Sequence, residues 1–228
     1  MPGGGIGVEL CIEPGESIRA LPMDIVAIVD VSGSMDDPAL VEQGGQQVDV
    51  GFSVLDVTKH ALKTLIQALG PADRLSIVSF ATQARVETKM MHMTQENQER
   101  AKDVVDGLRP GGTTNLWDAI RVGCSELEQS RRRSSAMTSM FVLTDGVPTE
   151  HLLPPRGIVP TLKRQLERME RGEGMPGGAM APPSIYTFGF GYELDTPLLV
   201  EIARVGRGCF SFIPDSGFAP WPVSWPNT

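Results

Sequence analysis

Three short stretches carry the oxygen-bearing side chains most able to do chemistry. In "DIVAIVDVSGSMDD" an apolar run, Ile25 to Val29, ends in Asp30, and Ser32, Ser34, Asp36 and Asp37 follow. "PGGTTNLWDAI" presents Thr113 and Thr114 behind Gly111 and Gly112, and "LTDG" sets Asp145 at the end of another apolar run. Asp30 and Asp145 stand at the C-terminal ends of predicted strands, and parallel strands share a direction, so both carboxylates reach one rim of a sheet. Like charges at one site repel unless a cation joins them. Ser32 and Ser34 alternate towards the same point and add neutral hydroxyls, and the paired glycines permit a sharp approach of the threonine loop. Hard oxygens without sulfur or imidazole point to Mg²⁺, or to Mn²⁺ or Ca²⁺ where these are more available.

Positioning such residues takes a sheet with rigid stems. Short β-branched runs alternate with amphipathic stretches, the pattern of βαβ units about a mostly parallel sheet. Strands are expected over Asp24–Asp30, Arg74–Thr82, Ser139–Asp145, Ser184–Gly191 and Gly208–Ile213, with Ala84–Met93 folding back on the second as an antiparallel edge. Helices are expected over Leu55–Leu69, Gln95–Leu108, Leu116–Gln129, Val159–Arg171 and Thr196–Val205. The expected fold is α/β: a doubly wound, Rossmann-like, mostly parallel sheet with one antiparallel edge strand and helices on both faces. Asp36–Ser53, polar and rich in Gly and Gln, reads as a long loop, either functional above the sheet or a mobile insertion. Gly172–Pro183 reads as a flexible surface loop. Residues 23–214 form the expected domain, residues 1–22 an extension with enough alternation for an extra strand, and residues 215–228 a Pro- and Trp-rich tail that cannot be helical.

At 228 residues, 41% hydrophobic and 21% charged, the chain fits one large globular domain. A net charge of -8 argues against a nucleic-acid surface, and the one basic run, Arg131–Arg133, reads as a solvated helix end. No apolar run approaches the ~20 residues that cross a bilayer, and Met1–Leu21 lacks an apolar signal core. Cys11, Cys124 and Cys209 are few, odd in number and far apart, so the expectation is reduced thiols and an intracellular location. His60, His92 and His151 form no zinc motif.

The D-x-S-x-S of Asp30, Ser32 and Ser34, the Thr-Asn pair within "GGTTNLWDA" and "LTDG" fall in the order and at the strand ends of von Willebrand factor A (vWA) domains. Together they resemble that family's metal-ion-dependent adhesion site, and the resemblance covers about Asp24 to Pro214. It implies Ser32 and Ser34 as direct ligands, Asp30 as a direct or water-linked ligand, and Asp145 as an outer carboxylate holding a bound water. Thr114, immediately before Asn115, matches the family's threonine ligand, with Thr113 the alternative if the loop shifts by one. A Glu or Asp from a protein partner is then expected to complete the octahedron, since hydroxyl ligands leave the cation enough charge to attract it. "YELDTPLLVEIARVGRGCFSFIPDSGF" is similar to the closing helix and strand of eukaryotic intracellular members but departs from them at Ala219. The sheet face near Phe210 and Phe212 is therefore expected to stay exposed, to be covered by a partner or to pair copies, with lower stability than a complete domain.

The expected function is a non-enzymatic, metal-dependent protein-binding module. No G-x-S-x-G elbow, GxxxxGK[ST] loop or acid-base histidine accompanies the metal motif. A Mg²⁺-dependent phosphoryl-transfer enzyme is the rival, because aspartyl nucleophiles also sit where Asp30 does. Such enzymes want a second Asp two residues on and a charge-stabilising Lys, whereas Ser32 holds that position here and no Lys lies close after the relevant strands. A third reading is a scaffold domain whose metal site is structural. Plainer roles also exist: strand-end acids as turn formers, Asp36 and Asp37 as solvated loop acids, and Asp118 as a helix cap or intrahelical partner.

Overall fold

The structure is a computed structural model, which describes residues 21–43, 46–130, 137–174, 178–191 and 194–213. The expectations for residues 1–20, including Cys11, for Arg131–Arg133 and for the tail from residue 214 lie outside the described residues. The chain runs through β1 (Met23–Asp30), a 3-10 turn (Gly33–Asp36), β2 (Pro38–Gln43), β3 (Gln46–Ser53), α1 (Val54–Ala68), β4 (Arg74–Phe80), β5 (Ala84–His92), α2 (Gln95–Gly107) and α3 (Leu116–Gln129). It continues through β6 (Met137–Thr144), a second 3-10 turn (Glu150–Leu152), α4 (Ile158–Arg171), β7 (Ser184–Phe190), α5 (Thr196–Val205) and β8 (Phe210–Ile213).

Six strands form one sheet in the order β5-β4-β1-β6-β7-β8, parallel throughout except for the antiparallel β4–β5 edge pair. β1 is central because it is apolar on both faces. Ile25, Ala27 and Val29 pack with Leu62 and Ile66 of α1 and Ala101 and Val105 of α2, while Val26 and Ile28 pack with Ile120 and Cys124 of α3 and Leu162 of α4. This central strand is thus held between two layers of helices, which fixes where its C-terminal end stands. Gly123 brings α3 down onto this stem: a Cβ there would sit 2.8 Å from Ile28 Cδ1 and 3.0 Å from Met140 Cε.

The segment read as a long loop, Asp36–Ser53, is instead the end of the first 3-10 turn followed by an antiparallel hairpin, with Leu40 opposite Asp49 and Val41 opposite Val48. The overlooked signal is a pair of short runs with aliphatic side chains separated in sequence by Gly44-Gly45, the spacing of a two-residue hairpin turn. Among the described residues the hairpin pairs only with itself, and Val54 N donates to Asp37 O at 3.0 Å where it rejoins α1. At the other edge, Phe210 is half-buried and Phe212 is 43% exposed. Among the described cysteines, Cys124 and Cys209 are both free; burial pushes the Cys124 thiol up to about 12, and Cys209 is exposed.

At the rim opposite the Asp30 end, β1 begins with a second buried acid. Arg74 grips Asp24 through Nε to Oδ1 (2.8 Å) and Nη2 to Oδ2 (2.5 Å), and Nη2 also donates to Ser130 O at the end of α3 (2.8 Å). The bidentate pair joins β1, β4 and α3 at one point. Removing one partner of a buried pair leaves the other carrying an uncompensated charge. Arg74→Ala is expected to lower unfolding free energy by about 3–5 kcal/mol, read as a fall in the urea midpoint at an unchanged slope. A loss within the ~0.5 kcal/mol typical of surface substitutions would contradict this role.

Candidate metal centre

β1 and β6 lie side by side in parallel register, Val29 opposite Leu143, so Asp30 comes level with Thr144 and Asp145 stands one residue beyond. After Asp30 the chain turns back on itself as Ser32 N donates to Asp30 Oδ1 (2.8 Å). This places Ser32 Oγ 3.2 Å from Ser34 Oγ, and Ser34 Oγ donates to Asp145 Oδ1 (3.0 Å). The second oxygen of Asp30 accepts from Thr144 Oγ1 (2.5 Å). A continuous row of side-chain oxygens therefore runs from one carboxylate to the other.

The threonine loop is drawn onto this row by backbone bonds: Gly111 N donates to Val31 O (2.8 Å) and Gly33 N to Gly112 O (3.0 Å). Gly112 adopts φ +86°, and a Cβ there would lie 2.8 Å from Thr82 Oγ1, so the close approach needs glycine. Thr149 then grips Thr114 on both sides, Thr114 N donating to its hydroxyl (3.1 Å) and its own N donating to Thr114 O (3.0 Å). Asn115 caps α3, accepting from Asp118 N at 3.1 Å, and donates through Nδ2 to Thr82 O at 3.1 Å. A Cβ built on Gly146 would be 3.5 Å from Thr114 Oγ1 and 3.6 Å from Ser34 Oγ, so glycine here leaves a small cradle lined by hydroxyls from two loops.

Of the sequence-derived candidates, Asp30, Ser32, Ser34, Thr114 and Asp145 come together at this rim. Thr113 does not: it is exposed, and its hydroxyl lies 3.1 Å from Thr82 Oγ1. Asp36, the last residue of the first 3-10 turn, and Asp37, which follows it, are exposed. Asp118 accepts from Ala84 N and pairs with Arg121 one turn along its helix. Sequence reasoning missed Thr144, which bonds Asp30, and Thr82 and Thr149, which hold the threonine loop. Thr144 precedes Asp145 directly, but its reach to Asp30 depends on strands β1 and β6 being neighbours.

The charges at the rim are unbalanced. Asp30 is fully buried, and burial pushes its carboxyl up, only partly countered by hydrogen bonds from Thr144 and Ser32. Burial and the neighbouring Asp30 push Asp145 up to about 7, against the opposing bond from Ser34. Neither acid is in an ion pair among the described residues. Thr114 is 7% exposed, and its hydroxyl lines the space beside Gly146 together with that of Ser34. A cradle of hydroxyls from two loops at Gly146, beside two buried acids without a counter-charge, fits a small hard cation. Among the described residues, no three His, Cys, Asp or Glu side chains gather as a metal cluster, so hydroxyls rather than acids dominate this donor set.

A model of the von Willebrand factor type A domain family matches residues 24–219. This chain belongs to that family. Such vWA domains generally serve as protein-interaction modules and are usually non-catalytic. Among curated proteins, the chain is 34% identical over 144 residues to the E3 ubiquitin-protein ligase WAV3 of Arabidopsis thaliana, covering 63% of this chain and 17% of the relative. It is 24% identical over 198 residues to human inter-alpha-trypsin inhibitor heavy chain H4, covering 85% and 18%. The chain thus spans less than a fifth of the length of these relatives. Among solved structures, a von Willebrand factor type A protein from Catenulispora acidiphila aligns with TM-score 0.64 at 21% identity, over 87% of this chain and 40% of that one. The conserved hypothetical protein BatB from Bacteroides thetaiotaomicron aligns with TM-score 0.61 at 18% identity, over 86% and 93%. The sheet and helices of this vWA domain are thus those of its structural neighbours. No described helix is long and apolar enough to cross a membrane.

The unbalanced acids of the vWA rim have a consequence for stability. An aspartate ordinarily titrates near 3.8, whereas burial and the charge of Asp30 push Asp145 up to about 7 in the folded domain. Between these values the folded state binds the proton more firmly than the unfolded chain, so its stability falls as pH rises through the window. Urea melts of metal-free protein are expected to show that decline, and Asp145→Asn, neutral throughout, is expected to lessen it, the remainder coming from Asp30, whose carboxyl burial also pushes up. An equal decline in the variant would contradict the assignment.

Proposed function

We propose that this vWA domain is a Mg²⁺-dependent protein-binding module, with Mn²⁺ or Ca²⁺ able to replace Mg²⁺. Ser32, Ser34 and Thr114 would be direct ligands, Asp30 a direct or water-linked ligand, and Asp145 an outer carboxylate acting through water. A Glu or Asp of a protein partner would take the open position. The observation that carries this reading is the meeting of three loops around Gly146, where the Thr114 hydroxyl joins two serines and two buried acids. With few acids close to it, the bound cation keeps charge with which to hold an outside carboxylate.

Two features favour binding over phosphoryl transfer. Asp30 is 0% exposed with both oxygens accepting hydrogen bonds, a poor situation for a nucleophile, and Ser32 stands where a second acid would be wanted. Similarity to proteins named both as ubiquitin ligases and as trypsin-inhibitor heavy chains also supports a recognition module set within different larger proteins. The similarity to WAV3 supports a role in holding a protein client for ubiquitin ligation, with the transfer chemistry outside this domain. The free thiols of Cys124 and Cys209 support an intracellular setting.

Calorimetric titration with MgCl₂ or MnCl₂ is expected to show one saturable site. Ser32→Ala and Thr114→Ala are each expected to weaken it roughly tenfold or more, while Thr113→Ala leaves it unchanged. Absence of binding, or equal affinity in Thr114→Ala, would overturn the metal assignment; turnover of p-nitrophenyl phosphate abolished by Asp30→Asn would overturn the binding reading.

A further inference from the structure

Apart from the metal ligands, the foot of the β2–β3 hairpin, one face of α1 and the end of α2 border a groove of about 580 Å³. Phe52, Val57, Lys59, His60, Lys63 and Asp106 line it, and its volume falls within the ~300–1,000 Å³ of ligand clefts. The apolar end is built by the turn into α1. Gly51, at φ +77°, donates to Asp49 Oδ1 (2.7 Å), and Ser53 forms a capping box with Asp56, so Phe52 is presented from a backbone fixed on both sides. Phe52 stands just before the cap, where a hydrophobic staple would reach to Val57. Val57 is buried, yet Phe52 stays 58% exposed, so much of its ring is left for something else to cover.

The other end is basic. Lys63 forms an ion pair with the Asp106 carboxylate. Lys59 Nζ (3.5 Å) and Arg109 Nη1 (2.7 Å) both donate to the Asp106 carbonyl oxygen at the end of α2. A helix C-terminus attracts cations, which accounts for these two bonds, but the partial charge of carbonyls does not neutralise two full charges. Neither Lys59 nor Arg109 is in an ion pair among the described residues. Asp56, the other acid lining the groove, accepts from Ser53 N and Ser53 Oγ, both at 3.0 Å. Three cations therefore meet two acids, on a chain whose net charge is -8. Burial, and then the charge of Arg109, push the Lys59 ammonium below its ordinary value, as a like charge nearby would.

We propose that this groove is a second recognition surface, which takes an acidic peptide segment of a partner protein: a large apolar side chain of the segment covers Phe52, and a Glu or Asp a few residues away pairs with Lys59 and Arg109. A free anion would answer the cations but leave Phe52 in water, and a purely apolar ligand would do the reverse. A segment with both groups satisfies each end of the groove. The proposal needs no metal, and none of the groove residues belongs to the metal centre.

The test uses synthetic Gly/Ala peptides carrying one Trp and two adjacent Glu, set one to four residues apart, with Trp→Ala and Glu→Gln versions of each. Binding is followed by fluorescence anisotropy in EDTA, which keeps the metal centre out of the readout. The best Trp/Glu peptide is expected to bind roughly tenfold more tightly than either altered version, with added salt narrowing the Glu-over-Gln gap. In Lys59→Gln/Arg109→Gln the Glu and Gln peptides are expected to converge, and in Phe52→Ser the Trp and Ala peptides, while both variants keep the native circular dichroism and Mg²⁺ titration. No binding at any spacing, equal binding of the Glu and Gln peptides to the native domain, or a preference that persists in the matching variant overturns the proposal. Inorganic phosphate competing as tightly as the peptide would make the ligand a free anion, and a dimer that Phe52→Ser dissociates in sedimentation would make the occupant a second copy; either result overturns it too. The outcome is separate from that of the metal titration, which tests the metal-dependent reading alone.

Discussion

Two aspartates at the ends of adjacent parallel strands cannot avoid each other, and the rest of this rim answers that constraint. The register of β1 against β6 sets Asp30 level with Thr144 and Asp145 just beyond, while helices on both faces keep the strand ends from moving apart. Burial removes the water that would screen the two charges. The hydroxyls of Ser32, Ser34 and Thr144 partly compensate by hydrogen bonding, but neutral donors do not cancel charge. The threonine loop completes the enclosure, drawn in at Gly111 and Gly112 and gripped by Thr149.

The contrast along β1 makes the point sharper. Asp24 and Asp30 are both buried acids on the same strand, one near each end. Asp24 meets a bidentate guanidinium that ties three elements together, a local arrangement whose charges close on themselves. Asp30 meets only hydroxyl and amide donors, with a second acid close by. One end of the strand is finished chemically within the fold; the other has charge left over.

Much of this was legible in the sequence because burial on two faces leaves a plain mark. Ile25 to Val29 reads as a central strand since nothing polar interrupts it, and the helix from Leu116 to Gln129 has the bounds its apolar spacing indicates. The rim was legible for a related reason: polar side chains placed abruptly after apolar runs stand out. The rest depended on contacts distant along the chain. Thr144 looks like an ordinary strand residue until β1 is known to lie beside β6, and Thr82 and Thr149 matter only once three loops converge. The orientations of Thr113 and Thr114 turn on backbone rotation next to glycines, which residue type does not encode. The β2–β3 hairpin was hidden by its own polarity, since its length suggested a loop while its Gly-Gly spacing and aliphatic residues specified strands.

That hairpin departs from the chain and returns to it at nearly the same spot, with Pro38 opposite Ser53 and Asp37 bonded to Val54. Its two strands take no part in the main sheet. Because closure entropy grows only slowly with the number of residues enclosed, the arm behaves as a cassette: it can lengthen, shrink or be exchanged while Ser34 and the first turn of α1 keep their places. Variation can therefore accumulate a few residues from the most constrained atoms in the molecule.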